Sequence, residues 1–138
     1  GLSNYTFEAA FYAILASTLK IDWAIRGFGS LQVADPAKSP QEFDEFIKYL
    51  KPQFMGPRPV AIPMQIPTQQ LRRITTPVVL LMGEKEHILR PKAAIVRARD
   101  TIPGLRQTNL IAGAGHLMTF DQPEIVNSIL TEFFGLPQ

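Results

Sequence analysis

An α/β fold is predicted, with a few parallel strands packed against helices and a helical region in front of them, on three observations. Two strand-like runs lie in the second half of the 138 residues, Pro77-Val78-Val79-Leu80-Leu81-Met82 and Gln107-Thr108-Asn109-Leu110-Ile111. A helix-length segment opening at Pro91 separates them, so the unit reads as a strand-helix-strand crossover. Such a crossover makes the strands parallel and brings the loops that follow them to the same end of the sheet. The first half shows instead apolar residues at helical spacing.

Taken in order, Phe7, Ala10, Phe11, Ile14, Leu15 and Thr18 recur at helical spacing over residues 4–19, with Ser3, Asn4 or Thr6 available as the cap. The expectation is a helix with a broad apolar face. Asp22 can cap a second, short helix carrying Trp23, Ile25 and Arg26, which Gly27 and Gly29 should end. The run Gly27-Phe28-Gly29-Ser30 is no phosphate loop, because Gln32 stands where a third glycine is needed and no strand leads in. Ser39-Pro40-Gln41-Glu42 combines a serine cap, proline at the first helical position and glutamate three residues after the cap. Phe43, Phe46, Ile47, Leu50 and Phe54 then mark one face, read either as core or as an apolar wall over a substrate pocket. Prolines at 52, 57, 59, 63 and 67 forbid regular helix over residues 51–67 and favour an extended surface linker. Two regions are therefore expected, a helical one over 1–67 and a strand-helix-strand-helix one over 68–138.

In the second region residues 68–74 read as a short helical turn, and Thr75-Thr76-Pro77 leads into the first strand. Ala94, Ile95 and Ala98 should turn the crossover helix toward the sheet before Pro103-Gly104 stops it. Asp121-Gln122-Pro123-Glu124 reads as a second capping box, opening a last helix with the stripe Ile125, Val126, Ile129, Leu130, Phe133 and Phe134.

The composition narrows the function. Apolar residues make up 46% and the formal net charge is only +2, ordinary for a globular domain. No basic tract suggests nucleic acid: Arg72-Arg73 is a pair, and Arg90, Lys92, Arg97 and Arg99 spread along a solvated helix face. The absence of cysteine excludes disulfides, thiolate metal sites and cysteine catalysis, and fits a reducing compartment, so a cytoplasmic protein is expected. The apolar run at 9–19 is too short to span a bilayer and lacks the positive leading segment of a signal peptide. With no initiator methionine, the chain reads as though cut from something longer.

The chemistry-bearing residues follow the two strands. Glu84-Lys85-Glu86-His87 comes after the first and Gly113-Ala114-Gly115-His116 after the second, at the sheet end where α/β folds place ligands. His116 by itself reads first as a ring satisfied by a backbone carbonyl. With Glu86 at the matching end of the neighbouring strand it becomes a candidate general base, since a carboxylate fixes the tautomer and stabilises the imidazolium. His87, adjacent to Glu86, is the weaker candidate. Glu84, Glu86, His87 and His116 are all of metal-ligand type, yet no metal-binding spacing is present, and neither metal nor cofactor is expected.

These segments, from the first strand through Gly83 and Glu86 to Pro91, then Gly115-His116 and the Pro123-Glu124 helix start, resemble the carboxyl-terminal part of the α/β-hydrolase fold superfamily. The resemblance covers residues 71–134 and rests on the ordered spacing. It implies that His116 is the triad base and Glu86 the triad acid, that residues 1–67 are a helical lid inserted before the last two strands, and that the parent is an esterase-like serine hydrolase acting on a small acyl or ester substrate. That family carries its nucleophile on a GxSxG elbow, and no such pattern occurs here: Ser3, Ser17, Ser30, Ser39 and Ser128 lack the flanking glycines. The HG-type loop that supplies oxyanion donors is also absent. The expectation is a fragment without the nucleophile-bearing half, silent alone and associating as a homodimer through the strand edge left bare. The rival is a non-catalytic binding or assembly module that keeps a remnant of the fold.

Overall fold

The computed structural model describes residues 4–56 and 65–135. Helices α1 (Asn4–Leu19), α2 (Asp22–Ser30), α3 (Pro40–Met55) and α4 (Thr68–Leu71) precede strand β1 (Val78–Gly83). Helix α5 (Pro91–Thr101) crosses over to β2 (Leu105–Ile111), followed by α6 (Met118–Asp121) and α7 (Pro123–Phe134). The expected cap Ser3 and residues 57–64 of the linker, with Pro57, Pro59 and Pro63, lie outside the described residues.

The two strands pair in parallel, from Val78 opposite Leu105 to Gly83 opposite Ile111, with one irregularity between Val78 and Val79. Strand β2 starts two residues before the strand-like run that announced it. Because Gly83 and Ile111 are register partners, the acidic loop and the histidine loop leave the sheet side by side. Burial follows the same end: Met82, Gly83 and Ile111 are buried while the first four residues of β1 are only partly covered.

An apolar cluster is built by the first three helices and the segment joining α2 to α3, with Ala13, Ala16, Ala24, Ile25, Val33, Phe43, Ile47, Leu50 and Phe54 at its centre. Leu117 and Phe120, just after His116, pack against this cluster, so the histidine loop is keyed into the helical core. Of the two readings open for the α3 stripe, core packing describes Phe43, Ile47, Leu50 and Phe54. Phe46 bridges outward, its ring 5.9 Å from that of Phe120.

Several local expectations are corrected. Helix α1 buries Ala9, Ala13 and Ala16, whereas Phe7, Phe11 and Ile14, three of the six residues that marked its apolar face, are exposed and Leu15 packs against the core. Small side chains on the inner face let helices approach closely, and Gly27 on α2 continues the fit: a Cβ there would overlap the Tyr12 ring. A Cβ at Gly29 would lie 2.5 Å from Ile47 Cδ1. These glycines are contact points inside α2 and do not end it. Asp22 is the first residue of α2 and not its cap, and pairs with Lys51 at 2.9 Å.

Helix α3 runs through Pro52 to Met55, where proline predicted its end at residue 50. An interior proline forgoes a backbone hydrogen bond and costs about 3 kcal/mol. Carrying the helix one turn further buries Phe54, worth roughly 1.5–3 kcal/mol, and the Lys20 ammonium donates to the terminal carbonyls of Phe54 and Gly56. Neither capping box forms as such. Ser39 and Gln122 occupy the N-cap positions of α3 and α7 without a side-chain cap bond, and Asp121 is engaged elsewhere.

Candidate active site

Two loops meet at the carboxyl end of the β1–β2 pair, and backbone contacts hold them together. The Glu84 N–H donates to the Ile111 carbonyl at 2.9 Å and the Lys85 N–H to that of Ala114 at 2.8 Å. Gly83 is required for this approach, since a Cβ on it would run into the backbone carbonyls of Ala114 and Gly115. The Glu84 carboxylate accepts the Gly113 N–H at 3.1 Å, fixing the turn in which Gly113 takes φ +69°.

Glu86 points into the seam, its side chain only 1% exposed. One carboxylate oxygen accepts the N–H groups of Ile88 and Leu89, at 2.7 and 3.3 Å. The other lies 2.7 Å from His116 Nδ1. With both oxygens engaged, the carboxylate is held by the turn that follows it and presents a fixed edge to the ring. The structure therefore brings Glu86 to His116 and sends Glu84 to Gly113.

The electrostatics follow from this contact. Burial pushes the Glu86 carboxyl up, but the hydrogen bond and charge of His116, joined by the two backbone N–H donors, outweigh it and hold the carboxyl below its ordinary value. The hydrogen bond from Glu86 and its negative charge raise His116 above its ordinary value against the opposing effect of burial. In the neutral ring, Nδ1–H donating to Glu86 leaves Nε2 with its lone pair. The ring is 38% exposed, enough to meet a reacting group.

Nucleophile and metal are a different matter. Ser17 and Ser30 donate their hydroxyls to carbonyls within their own helices, those of Ile14 and Gly27. Among the described residues no group of three or more His, Asp or Glu is placed to hold a metal ion. A hollow of about 410 Å³ lies between α2 and α3 beside Arg26, Asp44 and Lys51 and includes neither His116 nor Glu86. A smaller one, about 200 Å³, opens beside the histidine loop at Ala34, Lys85, Gly113 and Asp121.

Asp121 is the residue that the sequence reading assigned to another task. Its Oδ2 accepts the Gly115 N–H at 2.7 Å and the Ala34 N–H at 3.0 Å, and its Oδ1 lies 3.1 Å from the same Ala34 N–H. Next to it the Leu117 N–H donates to the Gln32 carbonyl at 2.7 Å. The sequence signal is an acid five residues after His116, which the following Pro123-Glu124 made look like a helix cap.

No family model matches the chain. It is 34% identical over 92 residues to carboxylesterase YbfK of Bacillus subtilis (strain 168), a match covering 67% of this chain and 29% of that protein. It is 33% identical over 98 residues to the uncharacterized carboxylesterase nap of the same organism, covering 65% of this chain and 32% of that one. Among solved structures, naproxen esterase (carboxylesterase NP) from Bacillus subtilis matches with a TM-score of 0.71 at 26% identity, over 91% of this chain and 44% of that one. The hydrolase of 2-hydroxy-6-oxo-6-phenylhexa-2,4-dienoate from Rhodococcus sp. strain RHA1 matches at 0.72 over 98% of this chain and 50% of its own, and at 16% identity shows the shared fold alone. The chain thus spans about half the length of the solved structures it matches.

Proposed function

We propose, for a chain that belongs to the α/β-hydrolase fold superfamily and carries the carboxyl-terminal part of that fold, that it supplies the base and the orienting acid of an esterase-like serine hydrolase. The observation that carries this reading is the 2.7 Å contact between a nearly buried carboxylate with both oxygens engaged and a partly exposed imidazole at the strand ends. The carboxylesterase relatives support the reaction class.

In this reading a serine hydroxyl from outside the 138 residues attacks an ester carbonyl while His116 Nε2 takes its proton. Glu86 stabilises the imidazolium through Nδ1. The proton then passes to the departing alcohol, and water repeats the sequence to release the acid. No metal or cofactor is called for. Helices α1 to α3 serve as the lid, with Phe46 and Phe120 toward the acyl group. The bare edges of the two-stranded sheet and the outward phenylalanines of α1 favour association, and we take the chain to form a homodimer.

Incubating the purified chain with an activated short-chain ester tests the division of labour: no turnover is expected. A chain extended upstream through a GxSxG segment should hydrolyse the ester and lose on the order of 10⁶-fold in kcat on His116→Ala. Turnover by the 138 residues alone, abolished by His116→Ala, would overturn the split. The second reading, a binding or assembly module, is favoured by the missing GxSxG, and an inactive extended chain would select it.

A further inference from the structure

We infer that Asp121 is a positioning residue for His116, clamping the histidine loop to the segment that joins α2 to α3. The amides on either side of His116 are both anchored to residues 32–34. The Leu117 N–H binds the Gln32 carbonyl directly, and the Gly115 N–H reaches the Ala34 N–H through the shared Asp121 carboxylate. Contact between the two segments is close: a Cβ on Gly115 would lie 2.8 Å from the Val33 carbonyl carbon and 2.9 Å from the Ala34 nitrogen. Val33 is buried in the helical core. On its other side the loop rests on Gly83 and Lys85 at the end of β1.

The physical consequence concerns one torsion. Gly115 lacks a side chain to limit its backbone, so the orientation of the following residue depends on what holds the Gly115 N–H, and here that is a charge-assisted bond to Asp121. Without it the Ala114–Gly115 peptide can rotate and, through Gly115, turn His116 so that Nδ1 leaves Glu86, whose own position is fixed by the turn at Ile88 and Leu89. Asp121 does not serve α7, whose N-cap is Gln122. Docking of the amino-terminal helices and orientation of the histidine are thereby linked. The importance of the link for turnover rests on His116 being a base, but the link itself is measurable on a chain with no activity.

The test is nuclear magnetic resonance on the uniformly ¹⁵N-labelled 138-residue chain, reading the His116 ring tautomer by long-range ¹⁵N–¹H correlation and the exchange of the Ala34, Gly115 and Leu117 amides. In the unmodified chain the neutral ring should carry its proton on Nδ1. Asp121→Asn, close to isosteric, should speed Gly115 and Ala34 exchange at least tenfold and bring in the Nε2–H tautomer. Asp121→Glu keeps the charge and moves the carboxylate by a methylene. It should shift the tautomer as well, because the clamp acts by position. An unchanged tautomer in either folded variant would overturn the proposal. Should the variants fail to fold, native-state exchange of the unmodified chain in low urea decides: Ala34, Gly115 and Leu117 are expected to open together, and separate opening would refute the clamp. Absence of ester turnover in the extended chain would defeat the proposed function and leave this result standing.

Discussion

The outward face of α1 and the carboxyl end of the β1–β2 pair are opposites within one small molecule. On α1, Phe7 is 68% exposed and Phe11 and Ile14 54% each, while alanines fill the interior. At the strand ends every polar group named above has a partner: Glu84 on Gly113, Glu86 on Ile88, Leu89 and His116, Asp121 on Ala34 and Gly115. A helix apolar all round is ordinarily covered on all sides. The outward face of α1 thus presents exposed apolar area, whereas the carboxylates of the two loops each have partners within those loops or the segments beside them. The lesson is that a site can be held together in a part of a fold whose apolar surfaces are left bare, because directional bonds within adjoining loops need few neighbours.

The largest effect on this contrast should come from the helical core. Phe54→Ala, at a side chain 2% exposed, is expected to cost about 3–5 kcal/mol in urea unfolding. Leu110→Ala on β2, at a side chain 39% exposed, should cost well under half of that. Equal losses would mean that the strand unit carries as much of the stability as the helices.

A subtler effect sharpens the description of the site. Glu86 has its folded pKa lowered from 4.5, so its contribution is present above that value and lost as pH falls through the folded pKa. His116 has its folded pKa raised from 6.5, so its contribution is complete below that value and lost as pH rises through the folded pKa. Both are in force between about pH 4.5 and 6.5. The destabilisation by Glu86→Gln should therefore peak near pH 5.5 and shrink at pH 3 and pH 8. A penalty independent of pH would show that the contact contributes shape alone.

Smallest in folding energy is a change on the bare face. Phe11→Glu should alter stability of the monomer by no more than about 0.5 kcal/mol, as for exposed positions generally. If two copies associate through α1, it should also shift the light-scattering mass from dimer toward monomer at tens of micromolar. A monomeric mass for the unmodified chain would remove the homodimer from the proposed function.

Much of the architecture was legible in the residues. The switch from helical spacing to two strand-length runs gave the order of elements, and the helical crossover between them led to parallel pairing with both loops at one end, as the structure has it. The spacing of Gly83, Glu86 and His116 named the residues that the structure joins at 2.7 Å. Periodicity could not say which face of α1 turns inward, because a helix apolar on every side offers no contrast, and the choice fell to the close fit of its alanines against α2. Proline statistics could not weigh Pro52 against Phe54, since the gain from burying that ring exists only when α1 and α2 are packed around it. Asp121 was hidden for a like reason. Its cap-like setting is local, whereas its partners Ala34 and Gly115 lie 87 and 6 residues away, and only folding the chain brings both amides to one carboxylate.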